Sequence, residues 1–147
     1  MPEEKTISVN RRARHDYFIE ESIEAGLVLT GSEVKSLREH AATLTDAFAE
    51  VRNGELWLLQ VDIQKYPWAN QFNHEPRRDR KLLAKRQEIR RLETKVREKG
   101  YTLVPLEIYL KNGKIKVDLG LAKGRSQVDK RQRKRDEEAR RELREQD

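Results

Sequence analysis

KGYTLVPLEIYLKNGKIKVDLGLAKG, residues 99–124, reads as two strands around a two-residue turn. Asn112-Gly113 is a favoured tight-hairpin dipeptide because both residues tolerate positive φ. On the returning side Ile115, Val117, Leu119 and Leu121 alternate with Lys116, Asp118 and Gly120, so this strand has one buried and one wet face. The same device recurs upstream, where residues 47–51 and 55–63 flank Asn53-Gly54. Two short pieces, 17–19 and 27–29, joined by a polar link with Gly26, add further strands. Isolated hairpins are marginal in water and an open sheet leaves edges, so the pattern favours a mainly β fold: a small closed six-stranded barrel of oligonucleotide-binding type with about three peripheral helices. An open α+β sheet carries the same pattern and stands as the alternative.

Two helices are legible in detail. Thr30-Gly31-Ser32-Glu33 forms a capping box, in which the Glu33 carboxylate reaches back to the Thr30 N–H, and Val34, Leu37 and Ala41 follow at helical spacing. After a loop over residues 66–75 and Pro76, an apolar stripe of Leu82, Leu83, Ile89, Leu92 and Val96 predicts a long helix that stops at Gly100.

Composition sets the partner class. The chain has 147 residues, 35% hydrophobic and 39% charged, with a formal net charge of +6, which means one domain with a small core and a densely ionic, basic surface suited to a polyanion. The basic excess is concentrated in residues 77–99, with eleven Lys or Arg against four Asp or Glu. Cysteine is absent, which excludes disulfide and thiolate chemistry. The start, MPEEKTISVN, is acidic where a signal peptide would be basic and then apolar, and no run approaches the length of a membrane span. A cytoplasmic protein with no membrane partner is expected.

Catalytic signatures are missing from the chain: it has no GxxxxGK[ST], GxGxxG or HExxH. His15, His40 and His74 have no cysteines to join them, so no metal or other cofactor is expected. Glu33, Glu39 and Asp46 could be grouped as carboxylates, but Glu33 reads first as a helix cap and second as a recognition residue accepting from base donors. Tyr66, Trp68, Phe72 and His74 lead into Arg77 and Arg78. Planar groups beside cations suit exposed bases and phosphates, although Trp68 and Phe72 could equally plug the barrel end. Structured RNA fits better than duplex DNA, since no recognition-helix motif or zinc finger is present.

The last stretch, residues 124–147, has its own physics. Lys130, Arg131, Arg133, Lys134 and Arg135 fall within six positions, while Val128 and Leu143 are the only strongly apolar residues after Arg125. Such a basic segment is expected to be disordered when free. Glu137 with Arg141, and Arg141 with Glu145, favour helix by a few tenths of a kcal/mol each at roughly one turn's spacing, so phosphate neutralisation could order it.

Four strings now carry a resemblance: NRRARHDYFIEESIEAGLVLTGSEVKSLR at residues 10–38, FNHEPRRDRKLL at 72–83, the 99–124 hairpin, and DKR at 129–131. In this order they resemble the small protein B, or SsrA-binding protein, family. The resemblance implies an oligonucleotide-binding-type barrel and a non-enzymatic adaptor that binds the tRNA-like domain of transfer-messenger RNA. It also implies delivery, with elongation factor Tu, to stalled ribosomes for trans-translation. On that basis Asn10, Glu33 and Lys35 belong to the RNA-recognising surface, with Lys123 and Arg125 adding basic contacts; Trp68, Arg77 and Arg78 join this candidate surface on the aromatic and basic pattern of the loop alone. The tail, with Asp129, Lys130 and Arg131 at its root and Arg133, Lys134 and Arg135 beyond, is expected to become helical in the decoding centre and empty messenger channel of the small subunit. Val128 and Ala139 stand where family members often carry a ring, which shifts this tail's contacts toward phosphate. The resulting domain plan is a flexible N-terminus over 1–9, an RNA-binding barrel over 10–123 and the tail over 124–147, in a monomer. A ribosomal or generic structured-RNA-binding module is the alternative function.

Overall fold

Asn53 and Asn112 take φ of 51° and 52°, and Gly54 and Gly113 each take 78°, so both hairpins turn through the left-handed geometry their dipeptides favour. The computed structural model describes residues 4–68 and 73–124. Around those turns lie β3 (Phe48–Arg52) with β4 (Glu55–Leu59), and β6 (Thr102–Lys111) with β7 (Lys114–Gly124). The other strands are β1 (Glu4–Val9), β2 (Tyr17–Leu27) and β5 (Arg80–Leu83), and the helices are α1 (Ala13–Asp16), α2 (Gly31–Glu39) and α3 (Arg86–Lys99).

Neighbouring strands run β6-β3-β4-β5-β2-β7, and β7 returns to β6. Six strands therefore close, as the hairpin pattern predicts. Closure depends on two long strands that divide their edges. β2 pairs with β7 from Tyr17 to Gly26 and reaches β5 through Gly26–Leu83 and Leu27–Leu82. β6 pairs with β7 along one edge, while its other edge meets β3 at Leu103–Ala49 and β1 further on. Leu56, Leu58, Ile63, Leu82, Leu103, Ile108, Val117 and Leu119 are enclosed by the ring, and Leu37 of α2 and Leu92 of α3 pack onto this core. Gly120 admits close packing on the other face of the wall, where Leu106 joins Ala13 of α1, Val104 and Ala122 in a second cluster: a Cβ there would sit 3.1 Å from Leu106.

Several expectations are corrected. The sheet holds seven strands, because Glu4–Val9 pairs with β6 instead of remaining a flexible N-terminus. Its Ser8 hydroxyl is buried and accepts from the Ala42 N–H at 2.7 Å, tying the strand to the loop after α2. The pieces 17–19 and 27–29 are parts of one region in which Tyr17–Leu27 is continuous strand. The long helix starts at Arg86; Arg80–Leu83 is strand, with Arg80 and Leu82 inward and Leu83 outward. A short apolar run suits either period, and pairing with β4 and β2 decides for strand. Among the described residues no helix is long and apolar enough to cross a membrane. The tail residues Arg125, Asp129, Lys130, Arg131, Arg133, Lys134 and Arg135, and Phe72 in the loop, lie outside the described residues.

Deleting residues 1–9 should lower unfolding free energy by about 2–4 kcal/mol, from one buried hydrogen bond and the packing of Ile7. Urea denaturation of the truncated and full chains checks this; equal midpoints would mean that β1 adds nothing.

Candidate nucleic-acid interface

Glu33 sits in the first turn of α2 because Thr30 caps the helix, and the Thr30 N–H donates to its carboxylate at 2.8 Å. The capping role read from sequence is present. The surroundings are unexpected: Glu33 is 0% exposed, and Arg80, also 0% exposed, binds its Oε2. Arg78 binds the same carboxylate, with Nη2 at 2.5 Å from Oε1 and Nε at 3.1 and 3.2 Å from the two oxygens. The remaining Arg80 donors meet the carbonyls of Val61 at 2.7 Å, Pro76 at 2.9 Å and Arg78 at 3.2 Å. Both buried charges are thus compensated, which burial requires. Burial alone pushes the Glu33 carboxyl up, but Arg78, the Thr30 N–H and Arg80 outweigh it and hold the group below the usual carboxylate range.

A second clamp lies beside the first. His74 is buried, with Nε2 2.8 Å from the Ile63 carbonyl and Nδ1 2.8 Å from Ser32 Oγ. A carbonyl only accepts, so Nε2 donates to it, and in the neutral ring Nδ1 accepts from Ser32. Asn73 closes the 66–73 loop at its base, its amide donating to the Tyr66 carbonyl at 2.8 Å and its oxygen accepting from the Tyr66 N–H at 3.1 Å. These bonds fix the segment 73–80 to α2 and to the stretch 61–63 that follows β4.

The clamps support an exposed face. Lys35 projects from α2 with its Nζ 5.8 Å from the Tyr66 ring centre. Trp68 is 78% exposed, so it does not plug the barrel. Arg77 is exposed and donates to Asp62 at 3.2 Å, and Arg78 keeps an outer edge while touching the Val28 carbonyl. Sequence reading missed the adjoining wall of β2 and β5, where Val28 and Leu83 are 43% and 55% exposed beside Gly26, near Lys81 and Lys116. Their signal was the outward phase of each strand, which could not be read while Leu83 was assigned to a helix. Exposed apolar side chains between cations suit a partner with sugar and base surfaces between phosphates.

Other expected residues lie elsewhere. Asn10 is buried, its amide donating to the carbonyls of Pro105 at 2.9 Å and Leu44 at 3.3 Å, so it joins the end of β1 to β6. Asn10 and Glu33 are both buried side chains, unlike Lys35, Trp68 and Arg77. Lys123 is exposed at the end of β7, opposite Phe18 of β2, with Nζ 5.7 Å from the Tyr101 ring. Phe18 and Gly26 stand eight residues apart on one strand, about 27 Å at ~3.4 Å per residue, so Lys123 forms a second basic point far from Lys35. Among the described residues no group of three or more His, Cys, Asp or Glu is placed to hold a metal.

The family model described as "SmpB protein" matches residues 7–146. The chain is similar to the SsrA-binding protein of Thermobifida fusca, 55% identical over 95% of this chain and 87% of that one. It is also 55% identical to the SsrA-binding protein of Desulforudis audaxviator, over 95% and 92% of the two chains, and 54% identical to that of Bacillus cereus, over 95% and 90%. A chain in a solved structure described as "tmRNA-SmpB: a journey to the center of the bacterial ribosome" superposes with a TM-score of 0.68 at 51% identity, covering 81% of this chain and 84% of that one.

The lowered Glu33 pKa fixes a sign. Its stabilisation is complete above the unfolded carboxyl value, roughly 4.3, and is lost as pH falls through the lower folded value. Stability of the full chain should therefore drop steeply below about pH 4, and Glu33→Gln should flatten part of that slope while lowering stability at pH 7. An unchanged acid slope in urea titrations of the variant would show that Glu33 is not the source.

Proposed function

The chain belongs to the SmpB protein family, and from that premise we propose that it is a non-enzymatic adaptor that binds transfer-messenger RNA and delivers it to stalled ribosomes. It works in the bacterial cytoplasm, and its partners are that RNA and the ribosome. The observation that carries the reading is the match over residues 7–146 together with 51% identity to the chain of a tmRNA-SmpB structure.

The physical reading agrees with an adaptor. A closed barrel supplies a rigid body, and its α2–β5 side presents Lys35, Arg77, Trp68, Val28, Leu83 and Lys81 without a catalytic constellation among them. Cations here neutralise phosphates and so give affinity that falls with salt. The exposed indole and aliphatic groups add stacking and apolar contact with unpaired or shallow-groove surfaces of a folded RNA. Lys123, some tens of ångströms along β2 at ~3.4 Å per residue, offers a second support for an RNA large enough to span both.

The tRNA-like domain of the RNA binds the barrel, elongation factor Tu joins through that RNA, and the adaptor acts as a monomer. The tail from Arg125 onward, rooted at Asp129, Lys130 and Arg131, enters the decoding centre and the empty messenger channel as a helix. Arg133, Lys134 and Arg135 there meet phosphates, and message already in the channel would exclude the tail sterically.

Two outcomes test this division. Truncation after Lys123 should leave affinity for the isolated tRNA-like domain within about threefold, ~0.7 kcal/mol, yet abolish tagging in a reconstituted translation system; a large affinity loss would contradict it. Replacing Lys35 and Arg77 together by Ala should weaken RNA binding at least tenfold and reduce the salt slope by about two, with folding unchanged. Equal affinity for unrelated tRNA and unstructured RNA would favour the generic RNA-binding module.

A further inference from the structure

We propose that Glu33 is a positioning residue for RNA binding: its enclosed carboxylate, held by Arg78 and Arg80, sets the placement of the recognition face without touching the RNA. The proposal rests on the adaptor reading for what that face binds, and on the geometry alone for how the face is held.

The carboxylate is the meeting point of three segments that are distant in sequence. α2 contributes Glu33 itself and, two residues on, the exposed Lys35. Arg78, 45 positions away, closes on both carboxylate oxygens and extends Nη2 to the Val28 carbonyl at 3.4 Å, at the exposed end of β2. Arg80, 47 positions away, couples the same carboxylate to the Val61 and Pro76 carbonyls, which bracket the segment carrying Tyr66 and Trp68. Arg77, with its exposed guanidinium, lies between those two arginine-held points. Each exposed group on the α2–β5 side assigned above to RNA therefore lies on or next to a segment that this carboxylate ties down, whereas Lys123 at the end of β7 stands outside the clamp.

Direct contact with RNA is disfavoured by the same geometry. At 0% exposure, with Thr30, Arg78 and Arg80 all donating to it, the carboxylate has no open side from which to accept a base donor. Reaching the RNA would require breaking two ion pairs and exposing Arg80. A negative charge brought to an RNA surface would also oppose the phosphates, whereas an enclosed, neutralised one does not offset Lys35.

A fixed face and a loose one differ in how many phosphates they engage at once, and salt dependence reads that number. The experiment uses the full chain, the isolated tRNA-like domain as probe, and three variants: Glu33→Gln, Glu33→Asp and Leu92→Ala. The last weakens the core under α3 without touching the clamp and serves as a stability control. Amide hydrogen exchange of the free proteins is measured first, under conditions where each is folded. Glu33→Gln should raise exchange at the amides of residues 61–63 and 77–80 by tenfold or more over Leu92→Ala. It should also lower RNA affinity at least tenfold and make log affinity less steep in log salt by about one contact, with the slope of Leu92→Ala unchanged.

If Glu33→Gln fails to fold, Glu33→Asp keeps the buried charge but is a methylene too short to serve all its donors, and the same shallower slope is expected of it. Lost affinity with a native salt slope and native exchange would assign Glu33 a direct contact and overturn the proposal. Affinity and slope matching the Leu92→Ala control would overturn it in favour of stability alone. Failure of the wild-type chain to bind the probe would refute the adaptor reading, while the exchange result would still decide whether the clamp holds these segments.

Discussion

Two opposite charges with no access to water, Glu33 and Arg80, form the interaction on which the working side of this protein depends. Taking either into the interior alone would be prohibitive, and removing one partner from such a pair costs about 3–5 kcal/mol because the other remains buried and unpaired. Here the penalty is met by saturation: the carboxylate also receives Arg78 and the Thr30 N–H, and the guanidinium also reaches several main-chain carbonyls. An ion pair that needs so many partners holds only one arrangement of them. It ties α2, the start of β5 and the stretch just after β4 to one another.

The rest of the fold can be understood as a frame for that junction. Hairpin turns at Asn53-Gly54 and Asn112-Gly113 start strand pairs, β2 and β6 divide their edges between neighbours, and the ring closes. Leu37 packs α2 over the core, and Ile89 and Leu92 do the same for α3. On the α2–β5 side the frame leaves exposed long cations, an indole and the aliphatic side chains of Val28 and Leu83. Such a surface recognises charge spacing and shape. That is suited to a chain whose work is to hold one large RNA and present it to another assembly.

The sequence made the barrel legible because its signals were local. Period-two alternation from Ile115 to Leu121 and two Asn-Gly turns are properties of neighbouring residues, and the Thr30–Glu33 capping box is a three-residue relation. The misreadings occurred where a long-range partner decided the outcome. Leu82 and Leu83 satisfied a helical stripe until pairing with β4 and β2 assigned them to opposite faces of a strand. Residues 4–9 are too polar to signal burial, and only the free edge of β6 makes them a strand. For the site, the cations of 77–99 were visible as composition. The inward turn of Arg80, Glu33 and Asn10 was not, since nothing local distinguishes a buried arginine from its exposed neighbour Arg77.

Central to this account is that the RNA lies against the α2–β5 side of the barrel, on a face held from beneath and not through the held residues themselves. The most direct measurement is chemical-shift mapping of the isotopically labelled full chain during titration with the tRNA-like domain. The largest changes are expected at Lys35, the Trp68 indole, Arg77, Lys81 and the methyl groups of Val28 and Leu83, with smaller ones at Lys123 and none at Val9 on the strand beyond β6. Changes centred on Val9, Phe48 and Asn10, with the α2–β5 face unaffected, would contradict it.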